Sequence, residues 1–544
     1  MRTSSGPVYA AVLFLLGLHA FLAYSSLSIK SVTFDETTHL PAGLAIAERG
    51  EIRLNRQHPP LIKLAAGWAA STADPILPLD GDAYKLGKEW DFGAQVLYNP
   101  QNDRRALLNR GRLPSVGFSL LAGLVVFFWA RRRAGETAAL FALGLWTFSP
   151  SVLAQARWVT MDMAVTATGL CALYSWWRVC EDGASMQRNV LFGVAIGLSL
   201  ASKFSGLVLL PAMVLADVLC SGRAILEPAT LLSRARTWLV AAGMAWITLW
   251  SLYLFPTDPL FYFKDLARLY ADLKTEYLFY LAGTFQNQRF PHYFLATYGL
   301  KSTPVELLLT VAVLMAAGHK ALRRDPNLKP DLFLIVPAGA WLAATTLMAS
   351  NQGHRYILML YPLVFILAAS LVPLCRTRLE ARGAGRAALL LWLGLGLGQA
   401  LETGLSHPDY LPYFNRLAGG PTAGPYWLDD SNVDWGQDTD RLGPWLEAKG
   451  IESVRLGLTP YAVPDLPGIR HEPLRLTDWR DGPAPGAYVL SGHVLARGLE
   501  MHQLHGYNSH WLYLYRPVDV LGNSLYLYIF ESRDPVRADT AGSS

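Results

Sequence analysis

Thr33-Phe34-Asp35-Glu36-Thr37-Thr38-His39-Leu40-Pro41-Ala42-Gly43 follows closely on an apolar run from Val8 to about Leu27. The run is long enough to span the hydrocarbon of a bilayer and has no clear small-residue cleavage site, so it reads as a retained first membrane span rather than a signal peptide. Two adjacent carboxylates just beyond a span are costly to desolvate, and they draw attention to the membrane boundary as a site. Composition agrees: 544 residues are 52% hydrophobic and 16% charged, with a mean hydropathy of +0.23, too apolar for an ordinary soluble chain.

Working outward, apolar segments near 113–130, 136–153, 163–180, 190–203, 205–220, 237–255, 304–318, 332–349, 356–374 and 387–405 bring the expected total to about eleven spans. The net charge of +5 is concentrated in short basic clusters between them: Arg131-Arg132-Arg133, Arg223/Arg234/Arg236, Lys320/Arg323/Arg324/Lys329 and Arg376/Arg378/Arg382/Arg386. The positive-inside rule assigns these to the cytoplasm, which puts the amino terminus inside and the carboxyl terminus outside, and the pattern gives no reason to expect a nucleic-acid partner. Arg188 and Arg223 flank the stretch 190–220 and both favour the cytoplasm, so the chain is expected to cross twice there, with Lys203 at the outer turn. The four cysteines lie in or beside apolar segments, without the spacing of a disulfide framework or zinc site.

The expected domains are a transmembrane unit, 1–405, with an outer loop at 30–110, and an extracytoplasmic tail, 406–544. In the tail, Ser453–Leu458, Ala487–Leu490 and Ser524–Phe530 are short β-prone runs between Gly/Pro turns, and Asp438–Lys449 reads as an amphipathic helix. The fold class is therefore mainly α: a polytopic helical bundle with a small C-terminal α/β domain whose last residues, Ala538–Ser544, look frayed.

Physics alone leaves two readings of Asp35 and Glu36: a general base with a neighbour that orients it or holds a metal, or a loop leading into a helix N-terminus that favours acids. Asp162, in Ala156-Arg157-Trp158-Val159-Thr160-Met161-Asp162, is a second acid at an outer helix end, where Arg157 either pairs with it or reaches to the interface. Lys203, Lys301 and Arg355 are cations at outer helix ends that are placed to converge on a phosphate; each taken alone is also an ordinary interfacial anchor. His354 and His292 belong to the same boundary. Asp434, Trp435, Gln437 and Asp438, within Asp429–Asp438, suit a sugar platform, a calcium loop or a capped turn.

Phe34-Asp35-Glu36 followed by Gln57-His58-Pro59-Pro60-Leu61 resembles the opening of the C-type glycosyltransferases, specifically relatives of protein O-mannosyltransferases and lipid A aminoarabinose transferase. The likeness continues through Lys301-Ser302-Thr303-Pro304, Asn351-Gln352-Gly353-His354-Arg355-Tyr356, Asn415 with Gly419-Gly420-Pro421, and Ser431–Asp438. It implies a C-type fold and an inverting transfer from a polyprenyl-phosphate-linked sugar to an acceptor protein, lipid or glycan on the outer face of a bacterial inner membrane. Asp35 is then the general base with Glu36 and Asp162 beside it, and His58, Lys203, Lys301, His354, Arg355 and His292 bind substrate or phosphate. Aminoarabinose transferases have Glu-Lys-Pro-Pro where this chain has Gln57-His58-Pro59-Pro60, and a histidine near its ordinary pKa of about 6.5 is only partly charged. The cofactor requirement is accordingly left between none and a divalent metal. Two rival classes remain open, a membrane transporter and a glycan-binding assembly protein.

Overall fold

The computed structural model describes residues 6–272, 277–459 and 466–531. Among these, seven helices are long and apolar enough to cross a membrane: Gly6–Leu27, Arg104–Ala134, Phe204–Leu226, Pro304–Leu322, Pro326–Met348, Leu360–Glu380 and Gly385–Ser406. The four other segments expected to span are also helical, as Glu136–Thr147 with Pro150–Gln155, Met161–Asp182, Met186–Ser202 and Pro228–Leu252. The first of these is broken at Ser149-Pro150 because proline lacks the N–H that a continuous helix needs. Helix Met186–Ser202 packs between Met161–Asp182 and Pro228–Leu252. A Cβ at Gly193 or Gly197 would come within 2.6 Å of Ala241 O or Thr248 Cβ, so only glycine permits this approach.

Lys203 is extended (φ −157°, ψ 142°) and splits the 190–220 stretch into two helices, as its flanking charges require. The basic clusters gather at one pole, where Arg132 meets Asp182 at 2.6 Å, Arg234 meets Asp217 at 2.8 Å, and Lys320 and Arg133 share Asp331. Helix Met161–Asp182 carries Asp162 at its other end, about 30 Å away at 1.5 Å per residue. The two poles are therefore a bilayer apart.

At the second pole, the stretch 30–110 is a packed unit rather than an open loop. Helices Glu36–Arg49, Leu61–Ser71 and Glu89–Leu97 bury Leu40, Leu44, Ile62, Phe92 and Val96 together. Gly43 and Gly67 lie back to back, and any side chain there would strike the opposite backbone.

The C-terminal sheet is built from β3 (Ser453–Gly457), β4 (Arg470–Pro473), β5 (Gly486–Ser491), β6 (Asp519–Leu521) and β7 (Leu525–Phe530), in the order β4-β3-β5-β7-β6. The first three strands are parallel and β7 pairs antiparallel with β5 and β6. An earlier hairpin, β1 (Phe279–Leu281) and β2 (Thr284–Gln286), joins the same core through Tyr280, which packs with Tyr488, Trp511 and Tyr526. Three of these strands fall on the runs expected from sequence. The helix expected at 438–449 is shorter, Leu442–Glu447 after a 3-10 turn at Thr439–Arg441, because Asp438 is held outside it by Lys30. Residues 538–544 lie outside the described ones.

The tail does not hang free. Tyr410, Phe414, Leu428 and Val433 are buried in the main helical core, and a separate core begins only at Leu442.

Candidate active site

Four of the charges singled out from sequence converge at the pole opposite the arginine clusters. Asp35 precedes the first helix turn at Glu36 but makes no capping bond with its side chain; the carboxylate instead forms an ion pair with Arg355 Nη1. Asp162 pairs with Lys203 at 2.7 Å, and Lys203 lies 4.5 Å from the centre of the Tyr356 ring. The side chains of Asp35 and Lys203 remain 21% and 20% exposed, so both pairs open to a reactant.

Burial, the largest single influence, pushes the Asp35 carboxyl up, but the charge of Arg355 together with those of His39 and Lys203 and the Arg355 hydrogen bond outweighs it, so the group is held below the usual aspartate range. Burial equally opposes the charge on Arg355, and Asp35, Tyr356 and Asp162 more than restore it. The Arg355 Nε is buried with no hydrogen-bond partner, a donor left over after the ion pair is made.

Glu36, beside Asp35 in sequence, has a different role. It is fully buried and grips Arg112 through Nε at 2.8 Å and Nη2 at 2.7 Å. It also accepts from Thr33 N, Thr33 Oγ1 and Val159 N. Arg112 in turn donates to the carbonyls of Leu27, Lys30 and Ser31, so this pair shapes the loop that presents Asp35. Of the roles expected for Glu36, orienting its neighbour agrees with this geometry, since its oxygens are engaged inside the protein.

Several other expectations change. Lys301 is buried and donates to Leu411 O and Asn432 O, both at 2.7 Å, and burial drives its pKa well below the lysine range. It fastens the tail to the helix end Tyr293–Lys301, its ammonium turned to these two carbonyls rather than to the Asp35–Arg355 pair. His354 donates its N–H to Asn432 Oδ1 and shares its ring with the Tyr361 hydroxyl at 2.8 Å; burial lowers its pKa to about 3. His58 does lie in the cluster, its ring edge-on to His39 at 5.2 Å. Burial and then the charges of His39, Lys63, Lys203 and Arg355 push its pKa well below 6.5. His292 is exposed and touches the Phe290 ring, away from these groups. Arg157 donates to Pro408 O and stacks on Trp158, and does not pair with Asp162.

The acidic stretch of the tail is interior. Asp438 binds Lys30, Arg441 and Ser524. Gln437 accepts from Trp435 N at 2.6 Å, and Asp434 accepts from Gly436 N and Thr459 Oγ1. Trp435 is 2% exposed with its ring 4.4 Å from the Arg355 guanidinium, so no open sugar platform exists there. Among the described residues no three His, Cys, Asp or Glu side chains assemble a metal site, which leaves the calcium reading of this loop without a ligand set.

Sequence reasoning missed Arg112, His39 and Lys30. Arg112 had a visible signal, the last of four arginines (Arg104, Arg105, Arg110 and Arg112) leading into an apolar helix. His39 lies one turn beyond Asp35 and its Nδ1 donates to Val159 O, 2.8 Å away; the Asp35–His39 spacing was the only hint.

The overall fold is similar to that of known proteins. Residues 108–252 match the family model of dolichyl-phosphate-mannose-protein mannosyltransferase. The crystal structure of ArnT from Cupriavidus metallidurans bound to undecaprenyl phosphate is similar at a TM-score of 0.50 and 14% identity, covering 96% of this chain and 98% of that one. The Archaeoglobus fulgidus oligosaccharyltransferase in complex with Zn and sulfate gives 0.42 and 14%, over 71% and 52%. The S. cerevisiae Pmt1-Pmt2 complex bound to the sugar donor gives 0.33 and 18%, over 49% and 35%. No curated protein sequence matches. The chain therefore shares the fold of ArnT over nearly its whole length, and residues 108–252 match the mannosyltransferase family model.

Proposed function

We propose that the protein transfers a sugar from a polyprenyl-phosphate carrier to an acceptor hydroxyl at the non-cytoplasmic face of a bacterial inner membrane. The observation that carries this reading is the Asp35–Arg355 ion pair, which joins a base and an anion-binding group at the pole opposite the arginine clusters. The positive-inside rule turns the arginine pole to the cytoplasm, so the Asp35 pole and the sheet of the tail face outward.

The donor phosphate meets Arg355, whose Nε has no other partner, and Lys203. As the phosphate draws the guanidinium to itself, Asp35 loses the charge that held its basicity down. Asp35 then takes the acceptor proton while the acceptor oxygen attacks the anomeric carbon; the carbon–oxygen bond to phosphate breaks and the carrier phosphate leaves with the electron pair. Attack from the face opposite the leaving group inverts the anomeric centre. Asp162 keeps Lys203 oriented toward the leaving phosphate. The sequence carries no glycine-rich nucleotide-binding motif, in keeping with a lipid-linked donor.

The test is binding of undecaprenyl phosphate to the purified protein, followed by mass spectrometry of the intact complex. Arg355→Ala is expected to weaken it by roughly 10–100-fold, the range for losing a charged hydrogen-bond partner. Equal affinity in the two proteins rules out Arg355 as the phosphate contact.

A further inference from the structure

The tail segment 431–438 is wedged between the two loops that carry the active pair and is hydrogen-bonded to both. On the Asp35 side, Phe34 N donates to Trp435 O at 2.9 Å and Ser31 N to Gln437 O at 3.0 Å, while Lys30 pairs with Asp438. On the Arg355 side, His354 N donates to Asn432 Oδ1 and Ser431 Oγ to Gln352 O, both at 2.8 Å. Gly353 is required at this junction, since a Cβ there would sit 2.5 Å from Ser431 Oγ.

Trp435 is the one side chain of this wedge whose face meets the active pair. Its ring is fixed by Trp158, Leu411 and Phe34, and its face lies 4.4 Å from the Arg355 guanidinium, with the Tyr356 ring at 5.2 Å. Among the described residues Arg355 makes one ion pair, to Asp35, and its Nε has no hydrogen bond, so the aromatic faces help to hold the guanidinium in place.

We infer that Trp435 is a positioning residue: through its indole face the tail fixes Arg355 between Asp35 and the phosphate of the donor, which makes the tail part of the active centre. This rests on the function proposed above, but the position of Arg355 can be read without catalysis.

The experiment compares Trp435→Phe and Trp435→Leu in the full-length protein, both checked by melting temperature. Phenylglyoxal labelling of Arg355, followed by peptide mass spectrometry, reports how firmly the guanidinium is held. Trp435→Leu is expected to label several-fold faster than wild type and to bind undecaprenyl phosphate about 10-fold more weakly, within the range of a desolvated cation–π contact. Its transfer rate falls off at a higher pH on the acid side, because Asp35 without a fixed Arg355 regains a more ordinary pKa. Trp435→Phe keeps an aromatic face and stays within about threefold of wild type on each measure. Unchanged labelling in Trp435→Leu overturns the inference. Equal impairment of both variants with a matching loss of melting temperature also overturns it, since the indole then only fills space. If wild type binds no undecaprenyl phosphate while labelling still separates Leu from Phe, the proposed function fails and the positioning of Arg355 stands.

Discussion

Two acid-rich stretches of this chain look alike on paper and differ in the folded protein. Thr33–His39 presents Asp35 with a fifth of its side chain open and a cation at its carboxylate. Asp429–Asp438 holds four aspartates and two amides, yet Asp429, Asp434 and Asp438 are all buried. The first stretch leaves a charge partly open, whereas the second turns its charges inward, Asp438 to Lys30 beside the helices and Asp429 and Asp434 to Arg497 and Thr459 within the tail. The same split divides neighbours, since Asp35 and Glu36 are adjacent and only Glu36 is sealed against an arginine. Density of acids along a sequence therefore marks where charge is handled, and exposure decides whether the charge is reactive.

Substitutions can break that contrast. Glu36→Ala leaves Arg112 buried without its anion, and removing one partner of a buried pair costs about 3–5 kcal/mol. A large fall in melting temperature is expected, against little change for Asp35→Asn, whose carboxylate is partly open. Equal melting temperatures would place Glu36 in the same category as Asp35.

A smaller effect sharpens the contrast from the tail. Burial raises the Asp434 carboxyl to about 6, partly offset by hydrogen bonds from Thr459, Gly436 and Ser491. The folded state then binds a proton that the unfolded chain releases near an ordinary aspartate value, so stability is greatest in acid and declines as pH rises to about 6. Asp434→Asn carries no such proton and is expected to flatten the decline in melting temperature over that window. A decline as steep as in wild type would remove Asp434 as its source.

Much of this was legible from sequence, because the signals were local. Apolar length and flanking arginines gave the helices and their poles, alternation gave β3, β5 and β7, and charge at helix ends gave Asp35, Asp162, Lys203 and Arg355. What could not be read depends on partners far apart in the chain. Lys30 and Asp438 are 408 residues apart, and Glu36 and Arg112 are 76 apart. Lys301 looks like a phosphate ligand until the carbonyls of Leu411 and Asn432 fold over it. Trp435 looked like a sugar platform for the same reason, since nothing near it in sequence announces Arg355.

The most direct test is the rate of sugar transfer from a polyprenyl-phosphate donor by Asp35→Asn, measured beside its melting temperature. Loss of a general base should lower the rate on the order of 10²–10⁴-fold with the fold intact. A variant that transfers sugar at the wild-type rate would show that Asp35 does not take the acceptor's proton, and the Asp35–Arg355 pair would no longer be the reactive centre.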